Sequence, residues 1–111
     1  MLNIYKTEGG RVVPQDQLTP GCWVNVVEPT QQEIAYLTGE LGLDQDFVRS
    51  SLDEEESSRI EAEDNDQVLV IVDLPVAQRE GEEHSILYTT APMGIILTPD
   101  YVFTISTQPQ Q

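Results

Sequence analysis

Hydrophobic residues in this chain come in short blocks set apart by polar and turn-forming stretches. The densest block, Val68-Leu69-Val70-Ile71-Val72, is unbroken and β-branched. Charged residues lead into it and Pro75 follows it. Such a run predicts a strand over residues 67–74, covered on both faces and set in the middle of a sheet. Earlier blocks alternate instead. Residues 2–5 and 11–13 flank Glu8-Gly9-Gly10, which predicts a short hairpin. Residues 22–27 predict a strand with Cys22, Val24 and Val26 on one side and Trp23, Asn25 and Val27 on the other.

The period then changes from two to about 3.6. Thr30 and Glu33 stand at capping-box spacing, Ile34, Leu37 and Leu41 share one face, and Gly42 supplies a helix stop. Asp44 caps a second, shorter helix through Leu52, with Phe47, Val48, Ser51 and Leu52 inward. After an acidic connector, a short segment over 59–63 and the turn Asp64-Asn65-Asp66 lead into the dense apolar block. Residues 75–83 read as an exposed loop and 84–90 as a strand. Residues 93–97 and 101–105 form a hairpin around Thr98-Pro99-Asp100. Strands, two helices, then more strands predict an α/β (α+β) fold with helices packed on a mixed β-sheet, in a single domain over residues 1–111.

Charge narrows the partners. Twenty acidic residues against five basic ones give a formal net charge of −15. That balance disfavours nucleic acid and anionic lipid, which reward Lys and Arg, and favours divalent cations or a basic protein surface. Lys6, Arg11, Arg49, Arg59 and Arg79 are scattered and form no basic patch. The single cysteine, Cys22, cannot make an internal disulfide and reads as a small buried hydrophobe. The start lacks the basic and apolar regions of a signal peptide, and no run reaches the roughly 20 apolar residues of a membrane helix.

Catalytic chemistry has little support. His84, the only histidine, lies beside Glu82 and Glu83 and reads as a solvated loop residue. The chain shows no nucleophile elbow, no phosphate-binding glycine loop and no zinc-type ligand pair, so it reads as a non-enzyme. Carboxylates are the better chemical signal. Asp53, Glu54, Glu55 and Glu56 form one group, and Glu61, Glu63, Asp64 and Asp66 form another. Hard cations such as Mg²⁺ take oxygen ligands of this kind, although Asp64-Asn65-Asp66-Gln67 lacks the glycine and later glutamate of an EF-hand loop. Either group also suits a solvated surface. The metal candidates are therefore Asp53, Glu54, Glu55, Glu56, Asp64 and Asp66.

Several motifs in order resemble the CorA-like family of magnesium and divalent metal ion transporters. They are the strand Trp23-Val24-Asn25-Val26, the turn Glu28-Pro29-Thr30 into a helix, and Gly42-Leu43 at its end. Arg59-Ile60-Glu61 then leads to the strand from Val68, and Pro92-Met93-Gly94-Ile95-Ile96-Leu97 with Asp100-Tyr101 makes the late hairpin. The resemblance implies a homopentameric membrane channel whose cytoplasmic amino-terminal domain senses weakly bound Mg²⁺ between subunits. A stalk helix, two membrane helices and a Gly-Met-Asn motif would follow such a domain, and none of them is within these residues. The tail from Thr107 to Gln111 fits a chain cut before the stalk. Relatives can carry an interfacial carboxylate where this chain has Ser50, preceded by Arg49, so that position is not carried over. The competing expectation is a soluble acidic interaction protein that binds a basic partner.

Overall fold

A computed structural model describes residues 1–53, 59–62, 66–80 and 85–107. Its strands are β1 (Leu2–Glu8), β2 (Arg11–Gln15), β3 (Trp23–Val27), β4 (Arg59–Ala62), β5 (Val68–Glu80), β6 (Ser85–Leu97) and β7 (Val102–Ser106). They form one sheet in the order β2-β1-β3-β7-β6-β5-β4. β3 and β7 pair in parallel, and the other neighbours pair antiparallel. The mixed sheet with helices packed on it is the predicted architecture.

Local chemistry explains the first elements. Gly9 and Gly10, at φ 58° and 80°, make a two-residue turn between β1 and β2 that a side chain would strain. In β3, Val24 and Val26 are buried while Trp23 is exposed, as the alternation predicts. Thr30 accepts from the Glu33 N–H and Glu33 reaches back to the Thr30 N–H, completing the capping box of α1 (Gln31–Ala35). This helix continues as a π-helical turn over Tyr36–Glu40 rather than as the regular helix the spacing predicts. The Thr38 hydroxyl takes the Ile34 carbonyl, and Leu41 N–H bonds five residues back to Tyr36. Gly42, at φ 72°, then ends the helix, and the Leu43 N–H closes onto the Leu37 carbonyl.

The core lies on one face of the sheet. Val24 and Val26, Phe103 and Ile105, Ile96, and Leu69 and Ile71 pack against Leu37, Leu43, Phe47 and Val48. α2 (Gln45–Ser51) docks over β6 and β7. At the contact, Gly94 of β6 faces Ser51, and a Cβ on Gly94 would meet Ser51's side chain and stand 3.1 Å from its Cα.

Four expectations are corrected. The strand built from Val68 to Val72 is not central, because β5 is second from the edge and β7 holds the middle. It is also covered on one face only, since Leu69 and Ile71 are buried but Val68, Val70 and Val72 are half-buried. Residues 75–80 are not loop, because β5 runs on to Glu80 paired with β6, while 81–83 lie outside the described residues. Ala91-Pro92 does not divide β6, which is one strand of thirteen residues. Proline is tolerated at both places because no second neighbour needs its missing N–H. β4 leaves β5 at Ile71, before Pro75, and β7 joins β6 only from Met93, after Pro92.

Candidate functional site

Of the acidic candidates, Asp53 and Asp66 are described and flank α2, so the site begins with what fixes that helix. Asp44 caps it, its Oδ1 accepting from Asp46 N at 2.9 Å and Phe47 N at 3.2 Å. Gln67, only 7% exposed just before β5, reaches across to the turn ahead of the helix. Its Nε2 donates to the Gly42 carbonyl at 2.7 Å and its Oε1 accepts from Asp44 N at 2.9 Å. One side chain thus pairs a backbone acceptor and a backbone donor in a part-buried position. At the other end, Arg59 Nη2 of β4 donates to Ser50 Oγ at 3.1 Å. The buried Ser51 hydroxyl bonds back to the Phe47 carbonyl at 2.7 Å.

Asp53 follows α2, exposed, with its N–H bonded to the Ser50 carbonyl. Asp66 precedes Gln67, also exposed, at φ 63°, a left-handed conformation that Asp tolerates better than most residues. Gln67 reaches the start of α2 and Asp53 follows its end, and seven helical residues rise about 10 Å. A cation held directly by both would need oxygens within about 2.6 Å of one point. Asp53 and Asp66 are thus not brought together on one ion within a single subunit. Glu54, Glu55, Glu56 and Asp64 lie outside the described residues, as does His84. Among the described residues, no three His, Cys, Asp or Glu side chains are grouped to hold a metal.

Ser50, at the position where a carboxylate would sit in some relatives, is engaged by Arg59. Arg49 beside it makes an exposed 3.4 Å pair with Asp46. A cavity of about 260 Å³ between α1 and α2 is lined by Ile34, Thr38, Gln45, Val48 and Arg49, with no carboxylate. Cys22 is buried beside Thr19, its Sγ 3.4 Å from the hydroxyl, as expected of a small core residue.

Sequence reasoning missed two residues that set this frame, Gln67 and Gly94. A glutamine directly before a buried strand, and a glycine inside an apolar one, were the available signals. Glu33 was found as a capping residue, and it does more. The Met1 ammonium lies 2.8 Å from its carboxylate. That ammonium, and next the Thr30 backbone N–H, hold the Glu33 carboxyl below its ordinary value of 4.5.

Comparison with known proteins adds three findings. A family model described as CorA-like Mg²⁺ transporter protein matches residues 20–111. Among solved structures, the complete CorA magnesium transporter of Methanocaldococcus jannaschii is similar at 21% identity, with a TM-score of 0.74 over 98% of this chain and 33% of that one. The soluble domain of CorA from the same organism gives 22% identity and a TM-score of 0.75 over 98% of this chain and 41% of that one. A full-length CmaX protein gives 16% identity and a TM-score of 0.67 over 99% of this chain and 35% of that one. At these identities the structural likeness establishes the fold, and the chain spans about a third of the full-length relatives. A search of curated protein sequences returns no match.

Proposed function

The chain belongs to the CorA-like Mg²⁺ transporter protein family, and from that premise we propose that it forms the cytoplasmic amino-terminal domain of a channel for magnesium or a related divalent cation. In this reading the channel is a homopentamer at the cell membrane, and the domain senses intracellular cation at the interfaces between subunits. The family match over residues 20–111 carries the reading. It is supported by a seven-stranded sheet that takes in β1 and β2, which precede the matched region, so the folded unit extends back to Leu2. None of the described helices is long and apolar enough to cross a membrane, and conduction would belong to other parts of the polypeptide. The reading assigns this domain no catalysis.

The mechanism follows from charge. Subunits of this domain, each at −15, repel one another when their acidic faces approach bare. Mg²⁺ bridging carboxylates of neighbouring subunits would favour a closed, symmetric assembly, and its loss would loosen that assembly. The ion acts only through its different affinity for the two states. Millimolar sensing requires weak, partly hydrated sites, which carboxylates such as Asp53, Glu54, Glu55, Glu56, Asp64 and Asp66 supply. Placement of Asp53 and Asp66 toward opposite ends of α2 favours a site completed across an interface over one within a subunit.

The test is assembly and stability of the full polypeptide with millimolar MgCl₂, against NaCl at matched ionic strength. Stabilisation specific to Mg²⁺, reduced by converting these carboxylates to amides, is expected. Equal responses to the two salts would sink the sensing mechanism and leave the family assignment standing.

A further inference from the structure

The two edges of the sheet are guarded by different means. At one edge, the Met1 ammonium donates to the Val27 carbonyl at 2.7 Å, and the Val27 N–H donates to the Met1 carbonyl at 2.9 Å. Bonding direction alternates along an antiparallel ladder, so the register turns Ile4, Lys6 and Glu8 of β1 toward β2. Their partners are Gln15, Val13 and Arg11, which leaves Val12 and Pro14 turned outward. Pro14 has no N–H to offer, and a proline on an edge opposes pairing by any strand. At the other edge, the Thr98 N–H bonds to the Tyr101 carbonyl at 3.0 Å, which sets the alternation between β6 and β7. Carried through β5, the register directs the backbone groups of Arg59 and Glu61 to β5. Ile60 and Ala62 then turn their N–H and C=O groups to the outer edge. β4 contains no proline, and among the described residues no strand lies beyond it. Charge guards this edge instead. Eight of the twenty acidic residues fall between Asp53 and Asp66, the stretch that contains β4, against one base, Arg59.

We propose that the β4 edge accepts an extended, lysine- or arginine-rich segment of a partner protein, which adds to the sheet as a further strand. Main-chain bonds to Ile60 and Ala62 hold the segment, and the acidic flanks select its sign. Proline opposes every strand, whereas negative charge opposes only strands of like sign. That difference between the two edges singles out a basic occupant. A second copy of the chain is the poorer one, because apposed β4 edges would bring two such acidic stretches together in domains each at −15. The one base of the stretch does not offset this, since its guanidinium reaches across to Ser50 of α2 at 3.1 Å. Acidic flanks alone would attract any polycation, and the outward main-chain groups restrict the occupant to an extended peptide. The inference does not rest on cation sensing and holds or fails without Mg²⁺.

The experiment titrates fluorescent heptapeptides into the full polypeptide, without divalent cations. One peptide alternates lysine and valine, a second alternates glutamate and valine, and a third is the lysine peptide N-methylated throughout, which keeps its charge and removes its N–H donors. Saturable binding of the lysine peptide, at least about tenfold tighter than either of the others, is expected. Ile60→Pro, which gives β4 the guard that Pro14 gives β2, should weaken that binding at least about tenfold. Amide exchange in the parent protein reads the site without any substitution. The lysine peptide should slow exchange at Ile60 and Ala62 and leave β2 unchanged. Equal binding of the N-methylated peptide would overturn the proposal, because charge alone would then account for the attraction. Absence of saturable binding, or slowed exchange in β2 and not in β4, would overturn it as well.

Discussion

Gln67 holds the turn between the two helices with a single amide, and its loss exposes two faults at once. Gln67→Ala leaves the Gly42 carbonyl and the Asp44 N–H without partners in a part-buried position. A hydrogen bond of this kind contributes about 0.5–1.5 kcal/mol, so loss of the two should destabilise the fold by about 1–3 kcal/mol in chemical denaturation. Gln67→Glu is the informative comparison, since its oxygens still accept from Asp44 N but nothing donates to Gly42. Gly94 acts by absence. Gly94→Ala drives a methyl group into Ser51, whose Cα would be 3.1 Å away, in a helix already packed on the strand. Overpacking of this kind costs about 1–3 kcal/mol. If the Ser51 contact is the cause, Ser51→Gly must cost less in the Gly94→Ala background than alone, which a double-mutant cycle measures.

At the scale of elements, both helices are short and rely on what stands at their starts. The α1 terminus gathers the Thr30 hydroxyl, the Glu33 carboxylate and the Met1 ammonium. Because the Glu33 pKa is lowered in the folded chain, its contribution is fully present above the ordinary value of 4.5. It is lost as the pH falls through the folded-state value. The stability gap between the parent chain and Glu33→Gln should therefore be widest near neutrality and close in acid; a gap that widens below pH 4.5 would contradict the assignment. The Asp44 cap of α2 is worth about 1 kcal/mol, the loss expected for Asp44→Ala. These ends were legible in the sequence, because a cap is a local arrangement of side chain and backbone within a few residues. So was the face of β3, where alternation alone separates Val24 and Val26 from Trp23. The distal ends of β5 and β6 were not legible. Residues 75–80 carry proline and polar side chains and lack any apolar period, and only pairing across the ribbon makes them strand. Sheet order was equally hidden, since a run as apolar as Val68–Val72 signals two buried faces without saying which neighbours provide them. Of the acidic candidates, composition located Asp53 and Asp66 but not their separation along α2, which depends on where β5 begins.

For the whole molecule, the question is whether its charge is a site or a field. A net charge of −15 on one small domain destabilises the compact state through self-repulsion, and any salt relieves that. At an ionic strength of about 0.1 M the screening length is about 10 Å, comparable with the length of α2 that separates Asp53 from Asp66. The folded 111-residue chain should therefore gain stability from NaCl, steeply at low concentration and little beyond about 0.1 M. Screening depends on ionic strength and not on the identity of the cation, whereas a bridging site distinguishes Mg²⁺ from Na⁺. If the bridging site proposed above needs carboxylates of two subunits, the isolated chain at micromolar concentration should respond to MgCl₂ no more than to NaCl of equal ionic strength. An excess response to Mg²⁺ should emerge only where chains meet, and so should grow with protein concentration or with assembly. Thermal denaturation in the two salts across a concentration series measures both. A Mg²⁺-specific gain already complete in the dilute monomer would place the ion on carboxylates of a single subunit and remove the need for an interface.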